Sequence, residues 1–185
     1  MLTPDMGNRV PDHGYWALDN ACFNNPDAFD LDAFMANARK RLAYAGDRCL
    51  FVVAPDVPFD SDGTLRRFDT EQAAVRSLGA PVALVSQDGM EVEDVPWPQI
   101  DTLFVGGSTA WKTGQESAAL VAAARRRGKW THMGRVNSMK RMKAAESMGC
   151  DSVDGTYLKY GPAILWPKLR GWLDQQGRQP TMVLP

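Results

Sequence analysis

The chain has little of the equipment that metal centres need. It holds two histidines, His13 and His132, and three cysteines, Cys22, Cys49 and Cys150. No cysteine pair has Cys-x-x-Cys spacing, so the spacing offers no structural zinc site. An odd cysteine count without a secretory leader gives the expectation of a cytoplasmic protein. No apolar run is long enough to span a bilayer, so no membrane partner is expected. Charge of one sign is also missing: the net charge is -1. That balance excludes a global basic field, and a nucleic-acid partner would have to be held by a local patch.

What is present is an ordinary globular composition, 44% hydrophobic and 23% charged over 185 residues. This suits one domain, residues 1–185, with a substantial core. No repeat, low-complexity segment or linker divides it. Six short apolar stretches end in polar or glycine-rich residues: YWALDN from Tyr15, CLFVVAPD from Cys49, VALVSQDG from Val82, TLFVGGS from Thr102, WTHMGR from Trp130 and CDSVDGT from Cys150. Their continuous apolar character predicts strands buried on both faces. Helical patterns lie between them, over residues 30–46, 62–79, 114–128 and 137–149. A last helix over 162–177 contains Pro167, which would kink or restart it.

Strand alternating with helix predicts a parallel α/β fold. The expected architecture is TIM-barrel-like and abbreviated, with an open doubly wound sheet as the alternative. The segment before Tyr15 has room for one more short strand or for a loop.

In such folds the site gathers at the carboxyl ends of the strands. Read in order, those ends are Asp19 with Phe23 beyond it, Asp56, Gln87-Asp88, Gly106-Gly107, Met133-Gly134-Arg135 and Asp154. Any one of these is an ordinary turn or cap residue. Several carboxylates aimed at one basin are not, because like charges close together oppose each other's ionisation. Carboxylates and amides accept from the N–H donors of a guanine-like base, backbone N–H groups near Gly106 and Gly107 meet its acceptors, and Phe23 and Met133 cover its faces.

The stretches FVGGST and HMGRVNS…GCDSVDGT, in this order and spacing, with the looser WALDNACF, resemble the tRNA-guanine transglycosylase superfamily. The likeness runs over most of the chain and is greatest to the phage and bacterial branch that places 7-deazaguanine bases in DNA. It implies Asp154 as nucleophile and Asp19 as general acid/base. It implies that Asp56, Gln87, Gly106 and Gly107 bind the base and that Phe23 and Met133 sandwich it. It implies two inversions through a sugar–aspartate ester, as in retaining glycosidases with carboxyl groups about 5–5.5 Å apart. No cofactor or metal is implied. The Cys-x-Cys-x-x-Cys…His zinc module of the tRNA enzymes is not found, which favours DNA over tRNA as partner and the host cytoplasm as location if the chain is phage-encoded. A short barrel would bury its open edges in a homodimer or against a partner subunit.

Arg135 and Lys140, where a helix begins at the site mouth, are the preferred phosphate contacts. Trp111 and Lys112 would stack on a base and reach a phosphate. With Met133 facing the site, alternation turns His132 away from it as a core histidine. No lysine stands at a strand end, which disfavours Schiff-base chemistry. Two further readings are an N-glycosyl hydrolase and a catalytically silent nucleic-acid-binding subunit.

Overall fold

The structure is a computed structural model that describes residues 1–4, 9–23 and 29–175. Six parallel strands pair strictly in chain order: β1 (Trp16–Leu18), β2 (Cys49–Val53), β3 (Val82–Ser86), β4 (Thr102–Val105), β5 (Trp130–Met133) and β6 (Ser152–Val153). The sheet curls into a half-barrel, an abbreviated TIM-barrel-like fold. Leu2 adds one parallel bridge to Leu18, donating to Ala17 O at 2.8 Å and accepting from Asp19 N at 2.7 Å. Among the described residues the N-terminal stretch therefore contributes one bridge rather than a full seventh strand.

Two layers of side chains follow from strand alternation. Trp16, Leu18, Val52, Leu84, Leu103, Val105 and Met133 join the large core beneath the helices. The other face carries Ala17, Phe51, Val53, Ala83, Val85 and Phe104. His132 belongs to this inner face, packed against Phe51 and Phe104 with ring centroids 5.2 and 4.8 Å away.

The helices are α1 (Leu31–Ala45), α2 (Ser61–Arg76), α3 (Thr109–Lys112), α4 (Gln115–Arg126), α5 (Met139–Met148) and α6 (Pro162–Gln175). Asp30, Asp60, Ser108 and Ser138 cap α1, α2, α3 and α5 by accepting a backbone N–H of the first turn. Each such cap is worth about 1 kcal/mol. Pro167 sits inside α6 without ending it.

The expected alternation fails once. Between β3 and β4 the crossover is made by loop and a single 3-10 turn, Trp97–Gln99, with no α-helix. Pro96 and Pro98 explain this, since neither has an N–H to give a helix. Val95 and Ile100 from this loop are buried and cover the sheet where a helix would otherwise lie.

Candidate active site

Asp19 and Asp154 follow the edge strands β1 and β6, and their charges are felt across the mouth of the half-barrel. Asp19 continues the inner-face alternation of Ala17. Burial, then the charges of Asp154 and Asp56, push its carboxyl up to about 7. A hydrogen bond from Asn20 N to Oδ1, 2.9 Å long, opposes that rise without cancelling it. At neutral pH Asp19 therefore exists as a mixture of acid and carboxylate, which is what proton transfer in both directions requires.

Asp154 is held the other way. Burial alone would raise its pKa, but hydrogen bonding and charge from His132 and the backbone N–H of Arg135 outweigh it, and the carboxyl lies below its ordinary value. His132 Nε2 is 3.1 Å from Oδ2 and Arg135 N donates to Oδ1 at 2.8 Å. The histidine is fixed in turn: its Nδ1 lies 2.8 Å from Ser152 Oγ, which accepts from Trp130 Nε1 at 2.9 Å. With Nδ1 engaged by Ser152, Nε2 donates its N–H to the Asp154 carboxylate. The Asp154 side chain keeps 20% of its surface exposed.

Asp56 and Gln87 meet, but they bind each other. Gln87 Nε2 donates to Asp56 Oδ2 at 2.5 Å, and Asn20 Nδ2 donates to Oδ1 at 2.8 Å. Gln87 Oε1 accepts from Phe59 N at 2.9 Å. Burial raises the Asp56 carboxyl, with the Asn20 and Gln87 hydrogen bonds and Arg67 working against it. A base reaching this pair would have to replace hydrogen bonds already made. Asn20 was not anticipated from the sequence; an amide directly after a strand-end aspartate was the available signal.

Gly106 N donates to Ser86 O at 3.0 Å, so this N–H extends the sheet and is not presented to a ligand. The residue is glycine because a Cβ would lie 2.4 Å from Val85 Cγ1. Gly107 has φ +69° and would press a Cβ onto Asp88 and Trp111, both at 2.5 Å. Asp88 is occupied by Ser108, accepting from its N at 2.7 Å and from its Oγ at 2.5 Å.

Three further expectations are corrected. Met133 is 0% exposed and sits in the core under the helices, so it does not cover a base. The facing of β5 is the reverse of the one expected, and His132 takes the inner position. Lys112 is 1% exposed, with Nζ donating to Gly134 O at 2.7 Å, so it reaches no phosphate. Burial, then the charge of Arg135, lowers its ammonium to about 7. Trp111 is half-buried, packed against the outer core with its indole N–H enclosed and without a hydrogen-bond partner.

Lys140 stands exposed in the first turn of α5. Arg135 is turned inward: its guanidinium lies 4.2 Å above the Phe23 ring and donates to Gly107 O. Phe23 is 49% exposed and meets Phe59, 51% exposed, edge to face at 5.8 Å. Among the described residues no group of three or more His, Cys, Asp or Glu side chains is arranged to hold a metal ion, and no helix is long and apolar enough to cross a membrane.

No protein-family profile and no curated sequence matches the chain. Among solved structures it is similar to a methylaspartate ammonia lyase from Clostridium tetanomorphum, with 16% identity, a TM-score of 0.49, and coverage of 89% of this chain and 43% of that one. It is also similar to a mandelate racemase/muconate lactonizing enzyme-like protein from Rubrobacter xylanophilus, with 15% identity, a TM-score of 0.46, and coverage of 77% and 34%. A third is the Bacillus subtilis YkuI protein with an EAL domain, with 11% identity, a TM-score of 0.48, and coverage of 85% and 53%. The chain spans about half or less of these structures' lengths. None of the three is described as a transglycosylase, and likeness at this level carries no argument about the reaction.

Proposed function

We propose that the protein is a transglycosylase that exchanges guanine in a nucleic acid, DNA in preference to tRNA, for a 7-deazaguanine base. The observation that carries this reading is the division of labour between two carboxylates at one mouth. Asp154 is kept ionised by His132 and the Arg135 N–H, while Asp19 is pushed to about 7. A pair of carboxyls whose environments drive their protonation apart suits a nucleophile beside an acid/base. The likeness of FVGGST and HMGRVNS…GCDSVDGT to the transglycosylases supports the same assignment.

In the first half-reaction an oxygen of Asp154 attacks C1′ of the target nucleotide. The glycosidic bond breaks, its electron pair leaves with guanine, and Asp19 delivers a proton to the departing base. A sugar–aspartate ester remains. In the second half, ionised Asp19 takes the N9 proton of the incoming deazaguanine. N9 bonds to C1′ and the Asp154 carboxylate is released. Asp19 ends protonated, ready for the next turn, and two inversions give retention. His132 supports both halves by favouring the carboxylate as leaving group and as nucleophile.

The test is incubation with radiolabelled guanine and either DNA or tRNA. Label entering DNA is expected. Guanine release without incorporation would make the protein a hydrolase, and neither outcome with either nucleic acid would leave a binding subunit as the better reading.

A further inference from the structure

Among the described non-glycine residues, Ala21, Phe59 and Arg135 have positive φ, at 64°, 67° and 57°. Left-handed backbone is unfavourable for any residue with a Cβ. At Arg135 it falls beside the Asp154 carboxyl, whose Oδ1 accepts the Arg135 N–H at 2.8 Å. Gly134 precedes it, and a Cβ there would lie 2.7 Å from two atoms of the Phe104 ring. Arg141 Nη1 holds the Arg135 carbonyl at 2.9 Å. The Gly134–Arg135 peptide is thus fixed from both sides.

The other end of that peptide is taken by Lys112. The Gly134 carbonyl and the Arg135 N–H belong to one amide, joined by resonance and pointing in opposite directions. Lys112 Nζ donates to the oxygen at 2.7 Å, and the nitrogen donates to Asp154. Among the described residues Lys112 is the one buried lysine or arginine. Burying a cation is costly, and here its hydrogen-bond partner is a neutral carbonyl rather than a carboxylate. A hydroxyl or amide donor would satisfy that oxygen at lower cost. What a cation adds is a pull of electron density toward the oxygen, which makes the N–H at the far end a stronger donor.

We propose that Lys112 is a positioning residue for Asp154: its ammonium polarises the Gly134–Arg135 peptide, and the peptide N–H passes that polarisation to the Asp154 carboxylate. The consequence for base exchange rests on the transglycosylase reading, but the relay is measurable without catalysis. Lys112 is 1% exposed and touches no substrate. The charged groups around its ammonium are Arg135 after β5, Arg141 on α5, Asp154 after β6 and Asp88 after β3. Burial, then Arg135, lowers it to about 7, with Arg141 adding to the fall and the two aspartates opposing it. His132 and Asp19 act on Asp154 beside it. The relay is therefore at full strength below about 7 and fades above it. Asp154 titrates in acid, where Lys112 is charged.

The experiment is an NMR pH titration of the isotope-labelled full chain that follows the Arg135 amide proton. The parent is expected to show an upfield step centred at about 7, as the ammonium is lost. The step should persist in Asp19→Asn and in His132→Phe. It should be absent from Lys112→Met and Lys112→Gln, whose Arg135 amide should lie upfield of the parent's acid-side position throughout. A step that disappears with Asp19 or His132 instead, or an amide unmoved by both Lys112 variants, would overturn the proposal. If the Lys112 variants fail to fold, as judged by circular dichroism, the titrations of the parent, Asp19→Asn and His132→Phe decide. In exchange assays Lys112→Met should lower kcat several-fold with KM unchanged, most at the acid end of the profile. A lower kcat with the acid limb in place would make the lysine merely structural and overturn the proposal. The step in a protein that exchanges no base would uphold the relay and remove the transglycosylase reading, and exchange without the step would do the reverse.

Discussion

The two sides of the mouth treat charge differently. On the side of β1, β2 and β3, Asp19 and Asp56 are both raised, and the amides of Asn20 and Gln87 satisfy Asp56 with neutral donors. On the side of β4, β5 and β6, Asp154 is lowered by His132 and a backbone N–H, with Arg135 and Lys112 close by. The same residue type thus stands as an acid on one side and as a carboxylate on the other. What separates them is the neighbour: like charges and burial at Asp19, an imidazole and an N–H at Asp154.

The comparison breaks most severely if the ionised side loses its oxygen nucleophile. Asp154→Asn should reduce base exchange by at least about 10⁴-fold, the scale seen when one member of a nucleophilic machine is removed, measured as label incorporation. Asp19→Asn should cost about 10²–10⁴-fold, the range for general acid–base catalysis, with nucleic-acid binding retained in a filter assay. In the proposed mechanism the first half-reaction of the parent needs protonated Asp19. Guanine release should therefore fall as pH rises through about 7, and that alkaline limb should vanish in Asp19→Asn.

His132→Phe sharpens the contrast, because it removes the imidazole and keeps a ring between Phe51 and Phe104. The Asp154 carboxyl should rise, moving the acid limb of the exchange profile upward and slowing exchange most at the acid end of the profile.

The smallest effect concerns Lys112. Its folded-state pKa is lowered from 10.5 to about 7. The unfolded chain binds the extra proton between those values, so this group's contribution to stability rises with pH across that window and is at its worst below about 7. Lys112→Met should melt roughly 2–4 °C above the parent near pH 6, the shift that about 1 kcal/mol gives in a domain of this size. The advantage should shrink toward pH 10, where the orphaned Gly134 carbonyl remains as the cost.

Strand positions were legible because each strand is a short apolar run ending in Asp, Gln or Gly. The order of strand ends therefore led to Asp19, Asp56, Gln87 and Asp154. What a run buried on both faces does not carry is which face each residue takes. In WTHM a one-residue shift exchanges His132 for Met133, and only pairing with Ser152 fixes the choice. Lys112 was unreadable for a related reason. A lysine after a glycine turn is ordinarily solvated, and only the four-residue helix α3 carries this one inward to Gly134. Phe59 sits in a loop whose left-handed turn no local motif announces. The prolines of residues 94–101 mark a stiff loop in the sequence, and the structure has loop and a single 3-10 turn there.

The most direct test of the central claim is covalent trapping. The protein would be incubated with a guanine-containing DNA strand, denatured, and examined by gel and intact-mass spectrometry beside Asp154→Asn. The account predicts a denaturation-resistant protein–DNA adduct in the parent, with guanine lost, and none in the variant. An adduct of equal yield in Asp154→Asn, or no adduct with either DNA or tRNA, would contradict it.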